Sequence, residues 1–177
     1  MAGEAPQSDP DFNLIRNVVM PDAKKQPDRY VAIVMAAIME EELGEILQAR
    51  LVDHKKTAKK MFGGMVPLAT FSAKIDLAFL LGMYREDFAK MLHAVRDIRN
   101  TFAHDLRPLT FASDEVKAKA IPLKFIETFD LRPKSRTERD LFINACEFIL
   151  GGMGALAMEK RRFKTPVAGK KASLRAS

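Results

Sequence analysis

Residues 67–104 read PLATFSAKIDLAFLLGMYREDFAKMLHAVRDIRNTFAH, and this stretch decides the fold. The first half has apolar residues at helical spacing, follows a capping residue (Thr70 or Ser72) and ends at Gly82. The second half, at 85–105, has apolar residues three and four positions apart, which form one face of a helix. That face consists of Phe88, Met91, Leu92, Val95, Ile98 and Phe102. The stretch therefore predicts two amphipathic helices joined by a short turn.

The sequence on either side predicts two further long helices. One is expected at 28–52, with Asp28 as its N-cap, and the glutamates at 40–42 are interpreted as a solvated surface. The other is expected at 135–161, where SRTE forms a capping box. Glycines lower helix stability but allow two helices to approach closely. Their presence at 151–154 therefore predicts that this face of the helix packs tightly on another helix.

Shorter segments give weaker signals. Residues 11–20 predict a short helix that Pro21 ends, and the basic run HKKTAKK at 54–60 predicts a short helix or a loop before Gly-Gly. A helical turn is expected at 113–119, and an extended segment without a partner strand at 123–131. Strand signals are otherwise almost absent. The chain is therefore expected to be an all-α helical bundle of about five to seven helices.

Composition fits one globular domain, since 47% of the 177 residues are hydrophobic and 29% are charged. We expect a disordered N-terminus at 1–11, a single helical domain at 12–162 and a flexible basic tail at 163–177. The net charge of +6 comes from the end of the chain, so residues 1–159 sum to −1. The basic residues there are Lys160, Arg161, Arg162, Lys164, Lys170, Lys171 and Arg175. This tail is either a solvated terminus or a sequence-independent contact to phosphates.

Several classes of function lack their sequence signals. There is no P-loop, dinucleotide-binding fingerprint or HExxH, and His54, His93 and His104 do not have metal-ligand spacing, so no metal or cofactor is expected. Cys146, the single cysteine, lies on an apolar helix face and is interpreted as core. The start of the chain has no secretory signal, and no apolar run reaches the roughly 18 to 20 residues that span a membrane. We expect a cytoplasmic protein without membrane contact.

One helix concentrates polar chemistry near its end. The group is Arg96, Arg99, Asn100 and His104. A spacing of four places Asn100 beside both Arg96 and His104, and a helix C-terminus favours a charged imidazole. Because guanidinium groups bind phosphate and imidazole transfers protons, the group predicts a binding or acid–base site.

A structural role for the same residues is the alternative. Asn100 and His104 would then tie the helix end to neighbouring loops, and Arg96 and Arg99 would pair with Asp97 or Asp105. Asp105 is also a candidate binding residue, since it directly follows the imidazole.

Two runs of residues carry a resemblance to a known family. They are PLATFSAKIDLAFLLG at 67–82 and IRNTFAH at 98–104, and EEL at 41–43 and ARLV at 49–52 also fit. In these features residues 28–105 resemble the mannitol operon repressor family. The resemblance implies a regulator of sugar-alcohol uptake genes. The sequence shows no helix-turn-helix, so control through a protein partner, RNA or the basic tail is expected in place of direct operator reading.

The Arg-Asn-x-x-x-His spacing is also similar to the signature of the HEPN superfamily. That resemblance implies a bundle of four to five helices, often dimeric. In its active members the motif Arg and His of two subunits face one another and cleave RNA without metal, while many members are non-catalytic. In a nuclease, Arg99 would hold the scissile phosphate, His104 would act as general acid or base, Asn100 would orient His104, and Arg96 would add phosphate affinity.

Two functions from different classes therefore stay open. The first is a mannitol-repressor-like transcriptional regulator, a homodimeric binding module with a protein or nucleic-acid partner. The second is a metal-independent endoribonuclease that uses Arg99 and His104. Neither requires a cofactor.

Overall fold

A computed structural model describes residues 20–62, 67–129, 135 and 137–158. Over these residues the chain is all-α, and no strand occurs among them. The α-helices are α1 (Met20–Ala23), α2 (Asp28–Arg50), α3 (Lys55–Phe62), α4 (Phe71–Leu80), α5 (Glu86–His104), α6 (Asp114–Ala120) and α7 (Glu138–Met158). A 3-10 helix, Ile121–Thr128, follows α6 directly. The expected disorder at 1–11, the Gly63-Gly64 break and the basic tail from Lys160 to Arg175 lie outside the described residues.

Helix α5 lies at the centre of the fold, because α2, α4, α6, α7 and the 3-10 helix all contact it. The apolar face predicted for it is buried, with Phe88 partly exposed. Next to it, the ring of Phe111 packs between those of Phe102 and Phe142, with centroid separations of 5.2 and 4.8 Å. All three rings are almost fully buried. Burial of this apolar surface is the main stabilising contribution to the bundle.

Helices α4 and α5 form an antiparallel hairpin. Ser72 contacts Arg96. Asp76, which is later in α4, contacts His93, which is earlier in α5, so the two helices run in opposite directions. Gly82, with φ of 68°, occupies the left-handed region in the connecting turn, which favours glycine. This arrangement differs from a helix-turn-helix, whose two helices cross at about 90–120°.

The structure confirms some predicted helix boundaries. The Thr70 hydroxyl accepts a hydrogen bond from Ala73 N at 3.2 Å and caps α4, as expected. The glycines of α7 include one close contact, since a Cβ on Gly152 would lie 2.8 Å from Cε2 of Phe88. Gly151 faces open space instead.

Other predicted boundaries are wrong. Asp28 does not cap α2, because it is the first helical residue. Its carboxylate instead accepts hydrogen bonds from the Phe111 amide and the Arg139 guanidinium, which are distant in the sequence. The capping box lies two residues later than expected, where Thr137 and Asp140 each accept from the other's backbone amide at 3.0 and 3.1 Å.

Two segments have a different conformation from the one predicted. The helix predicted at 11–20 lies outside the described residues except for Met20, and Pro21 is itself helical, because proline is tolerated in the first turn of a helix. The segment expected to be extended at 123–131 is helical up to Thr128. Pro122 sets φ at the start of this 3-10 helix, and Leu123 and Ile126, three residues apart, face the core together.

By length and composition alone, α7 is the one helix among the described residues that could cross a membrane. It also contacts α2, α5, α6 and the 3-10 helix and buries seven residues, from Leu141 to Met153. The core helix of a soluble protein passes the same test, so the structure is compatible with a soluble protein.

Candidate functional site

The polar residues of α5 face two neighbouring helices. On the α4 side, the Arg96 guanidinium donates to Ser72 Oγ at 2.5 Å and to Asp97 Oδ1 at 2.6 Å. One turn earlier, His93 Nε2 lies 3.0 Å from Asp76 Oδ1. The expected pairing of Arg96 with Asp97 is therefore present. The hydroxyl and carboxylate of the SAKID run hold α5 against α4.

Toward α2, Glu40 lies between two cations. Its Oε2 accepts from Arg99 Nη2 at 3.3 Å, and its Oε1 lies 3.5 Å from Lys74 Nζ. We name Glu40, Lys74 and Arg99 the Glu40 cluster. The three side chains are 24%, 13% and 30% exposed, so the cluster is partly shielded from water. It joins α2, α4 and α5.

The Glu40 cluster corrects two predictions. Glu40 is not solvated surface, although the next residue, Glu41, is exposed as predicted. Arg99 pairs with Glu40 and not with Asp97 or Asp105. Neither Glu40 nor Lys74 was recognised as a partner, because each lies 25 or more residues away from Arg99 in the sequence.

The other two residues of the α5 group lie toward the end of the helix. Asn100 is partly exposed and His104 is exposed, and within the described part of the chain neither side chain has a hydrogen-bond partner. His104 lines an open depression of about 480 Å³. The lining residues are Thr101, His104, Asp105, Leu106, Arg107, Glu115 and Lys119. Lys119, which the sequence did not single out, reaches across from α6 to donate to the Thr101 hydroxyl.

Asp105 lies at this depression but is already paired. Its carboxylate accepts from the Arg107 guanidinium at 2.5 Å and from Arg107 N at 2.9 Å. The same guanidinium donates to Glu115 at 2.5 Å, and Arg29 of α2 donates to Asp105 O at 2.8 Å. Asp105 and Glu115 therefore share the Arg107 guanidinium, and neither Lys119 nor His104 has an ion-pair partner among the described residues.

The Arg107 contacts make a prediction about pH. Hydrogen bonds from the Arg107 side chain and then from its backbone lower the pKa of Asp105 from 3.8 to about 2. Because the folded pKa lies below the ordinary value, this pairing stabilises the fold above about pH 4 and is lost as the pH falls toward 2. We expect Arg107→Ala to raise the Asp105 midpoint toward 3.8 in a carboxyl titration by NMR, and Lys90→Ala to leave it unchanged. Equal midpoints in wild type and Arg107→Ala would contradict the assignment.

The geometry separates Arg99 and His104 within one subunit. Five residues of helix rotate the side-chain direction by about 140°, so Arg99 and His104 point to different sides of α5. Arg99 contacts α2, and His104 faces the depression beside α6. Within one subunit they do not form a common site.

The described residues contain no group of three or more His, Cys, Asp or Glu side chains able to hold a metal ion. Cys146 is fully buried in the core, as predicted. Burial, with a smaller contribution from the Glu147 charge, raises the pKa of its thiol well above the ordinary value. A thiol held in this protonated form is not a nucleophile.

The Glu40 cluster makes a second prediction. Glu40→Gln removes the charge that Lys74 and Arg99 share while keeping the size of the side chain, and we expect it to lower the free energy of unfolding by about 1 kcal/mol. Combining it with Arg99→Met should cost less than the sum of the single changes, because the two residues interact directly. Urea unfolding measures both effects. Glu41→Gln is the control, and a loss there equal to that of Glu40→Gln would contradict the cluster.

Comparison with known proteins returns no match among family models, curated proteins or solved structures. The fold and the site define an all-α bundle in which polar residues of the central helix bridge to its neighbours.

Proposed function

We propose that the chain is a transcriptional regulatory protein of the mannitol-repressor type, a helical module that acts by binding a protein partner. The observation that carries this proposal is the pairing of Arg99 with Glu40. The Arg99 guanidinium is held in place by a carboxylate on a neighbouring helix, which it shares with Lys74. It therefore contributes to the architecture of the bundle and is poorly suited to hold a scissile phosphate.

The polar residues of the two runs that resemble the repressor family support the same proposal. Ser72 and Asp76 contact α5, and Lys74 contacts Glu40 of α2. A helical hairpin held to α2 by these contacts is a rigid scaffold. Helix packing therefore explains the polar residues of these runs, without a catalytic role for them.

The depression at the end of α5 is the surface we assign to the partner. Leu106 is 93% exposed there, beside Lys119 and His104. A partner bound there would remove this apolar side chain from water, which favours binding. Among the exposed large hydrophobic residues of the described chain, Leu106 is the most exposed.

Gene deletion tests the regulatory function. We expect transcripts of sugar-alcohol uptake genes to rise in the deletion strain and to return to the wild-type level when the intact gene is restored. Leu106→Asp should fail to restore repression, whereas Leu80→Asp, at another highly exposed leucine, should restore it. Unchanged transcripts after deletion would overturn the function. Equal behaviour of the two variants would overturn the binding surface.

We also propose that the regulator is a homodimer. Sedimentation equilibrium should then give twice the 19.9 kDa mass of the chain. A single-chain mass across the accessible concentrations would contradict the dimer.

A metal-independent endoribonuclease is the second candidate function. One observation favours it: His104 is exposed and lines an open depression with Lys119, so an RNA phosphate could reach both groups. The placement of Arg99 on another side of α5 opposes it for a single subunit.

A further inference from the structure

Helix α3 carries a concentrated positive charge within a domain of nearly neutral sequence. Residues 54–62 contain four lysines and no acid. All four lysines are exposed, and within the described part of the chain none of them has an ion-pair partner. We name Lys55, Lys56, Lys59 and Lys60 the α3 lysine face. It is separate from the α5 residues and from the basic tail.

The helical geometry places these lysines together. At 100° per residue, positions 55, 59, 56 and 60 fall within an arc of about 140°. The opposite side holds Ala58, Met61 and Phe62, which are partly buried, and Phe62 packs against the core. Leu68 N donates to Met61 O at 2.9 Å and connects the end of α3 to the following turn. Phe62 and the Met61 carbonyl therefore connect the end of α3 to the domain, and the four lysines are exposed.

This charge pattern opposes the formation of the helix. Lys55 and Lys59, and likewise Lys56 and Lys60, are like charges four residues apart, which destabilises a helix. Lys55 and Lys56 also occupy the first turn, where the helix dipole favours acids, and no acid is present there. A pattern that weakens its own helix indicates a function for the charge, because local conflicts of this kind concentrate at functional sites.

We propose that the α3 lysine face binds the phosphate backbone of duplex DNA without reading its sequence. Lysines on one face of a helix neutralise phosphates and release counterions, and a DNA duplex has a higher charge density than a single strand. Single-stranded nucleic acid is disfavoured, since the outward side of α3 has no aromatic residue on which bases could stack. A membrane surface is disfavoured, since Phe62, the aromatic residue of α3, packs against the core and is not free to insert.

This inference does not depend on the proposed partner surface. In a regulator without a helix-turn-helix, however, DNA binding by the lysine face would help to hold the protein on DNA. A partner would select the DNA site, and α3 would add affinity through the backbone.

Fluorescence anisotropy with the full chain and a labelled duplex of about 20 base pairs tests the proposal, with salt varied from about 50 to 200 mM. The test variant combines Lys55→Gln, Lys56→Gln, Lys59→Gln and Lys60→Gln. The matched control combines Lys25→Gln, Lys90→Gln, Lys117→Gln and Lys124→Gln, which remove the same charge from other exposed positions. Both variants keep the basic tail, so its contribution is the same in each.

We expect the test variant to bind the duplex at least about 10-fold more weakly and to reduce the slope of log K against log salt by up to about 3.6, since each of four phosphates contributes about 0.9. The control should keep the wild-type slope. Circular dichroism checks that both variants remain helical. Equal losses in the two variants, or an unchanged slope in the test variant, would overturn the proposal. Binding that depends on α3 but occurs only with phosphatidylserine vesicles or single-stranded RNA would overturn the choice of duplex DNA.

Discussion

Replacing Phe142 with alanine is expected to lower the free energy of unfolding by about 3–5 kcal/mol, the largest effect of any single change considered. The ring is fully buried and stacks on Phe111 at a centroid distance of 4.8 Å. Its removal leaves a cavity beside Phe111 in a closely packed core. Urea denaturation followed by circular dichroism measures the loss.

Phe79→Ala is the matched control for that change. Phe79 is 40% exposed, so less apolar surface returns to water and no closed cavity forms. We expect a loss well below half that of Phe142→Ala. Similar losses in the two variants would contradict the assignment of Phe142 to the centre of the core.

Asp28→Ala is expected to have the second largest effect, a loss of about 2–3 kcal/mol. Asp28 Oδ2 accepts from Phe111 N at 2.9 Å, and Oδ1 pairs with Arg139 Nη1. Arg139 also donates to the carbonyls of Lys24 and Gln26 at 2.7 and 2.6 Å. The carboxylate therefore connects the start of α2, the turn before α6 and the start of α7. Its removal leaves a partly buried guanidinium and a backbone amide without their acceptor.

Asp28→Asn separates the hydrogen bond from the Phe111 amide from the ion pair with Arg139. The asparagine keeps an oxygen for the Phe111 amide but loses the charge that pairs with Arg139. Its effect on the free energy of unfolding should lie between those of wild type and Asp28→Ala. A neutral Asp28→Ala would show that the three segments are held by other contacts.

Local signals were sufficient to predict most of the helices. The threonine that caps α4 and the apolar spacing of α5 depend on residues within a few positions of each other, and both were placed correctly. The capping box of α7 shows the limit of such signals. Ser135 with Glu138 and Thr137 with Asp140 both fit the pattern of an alcohol followed three residues later by an acceptor. The helix begins at Glu138, so the second pair is used.

The environment of the site could not be predicted, because it depends on contacts between distant segments. The sequence placed Arg96, Arg99, Asn100 and His104 on one helix, and the structure agrees. It could not show that Glu40, 59 residues earlier, accepts from Arg99. Nor could it show that Lys119 extends to Thr101 from another helix. Helical spacing determines which residues share a face of a helix, whereas the packing of helices determines their partners.

The role of the α5 residues is the central claim, and an RNA cleavage assay tests it most directly. Purified wild-type protein, His104→Ala and Arg99→Lys are incubated with structured RNA in EDTA, which removes any metal-dependent contaminant. A regulator in which Arg99 pairs with Glu40 predicts that the RNA remains intact to the same extent with all three proteins. Cleavage by the wild type that both variants lose would contradict the claim and assign a catalytic role to Arg99 and His104.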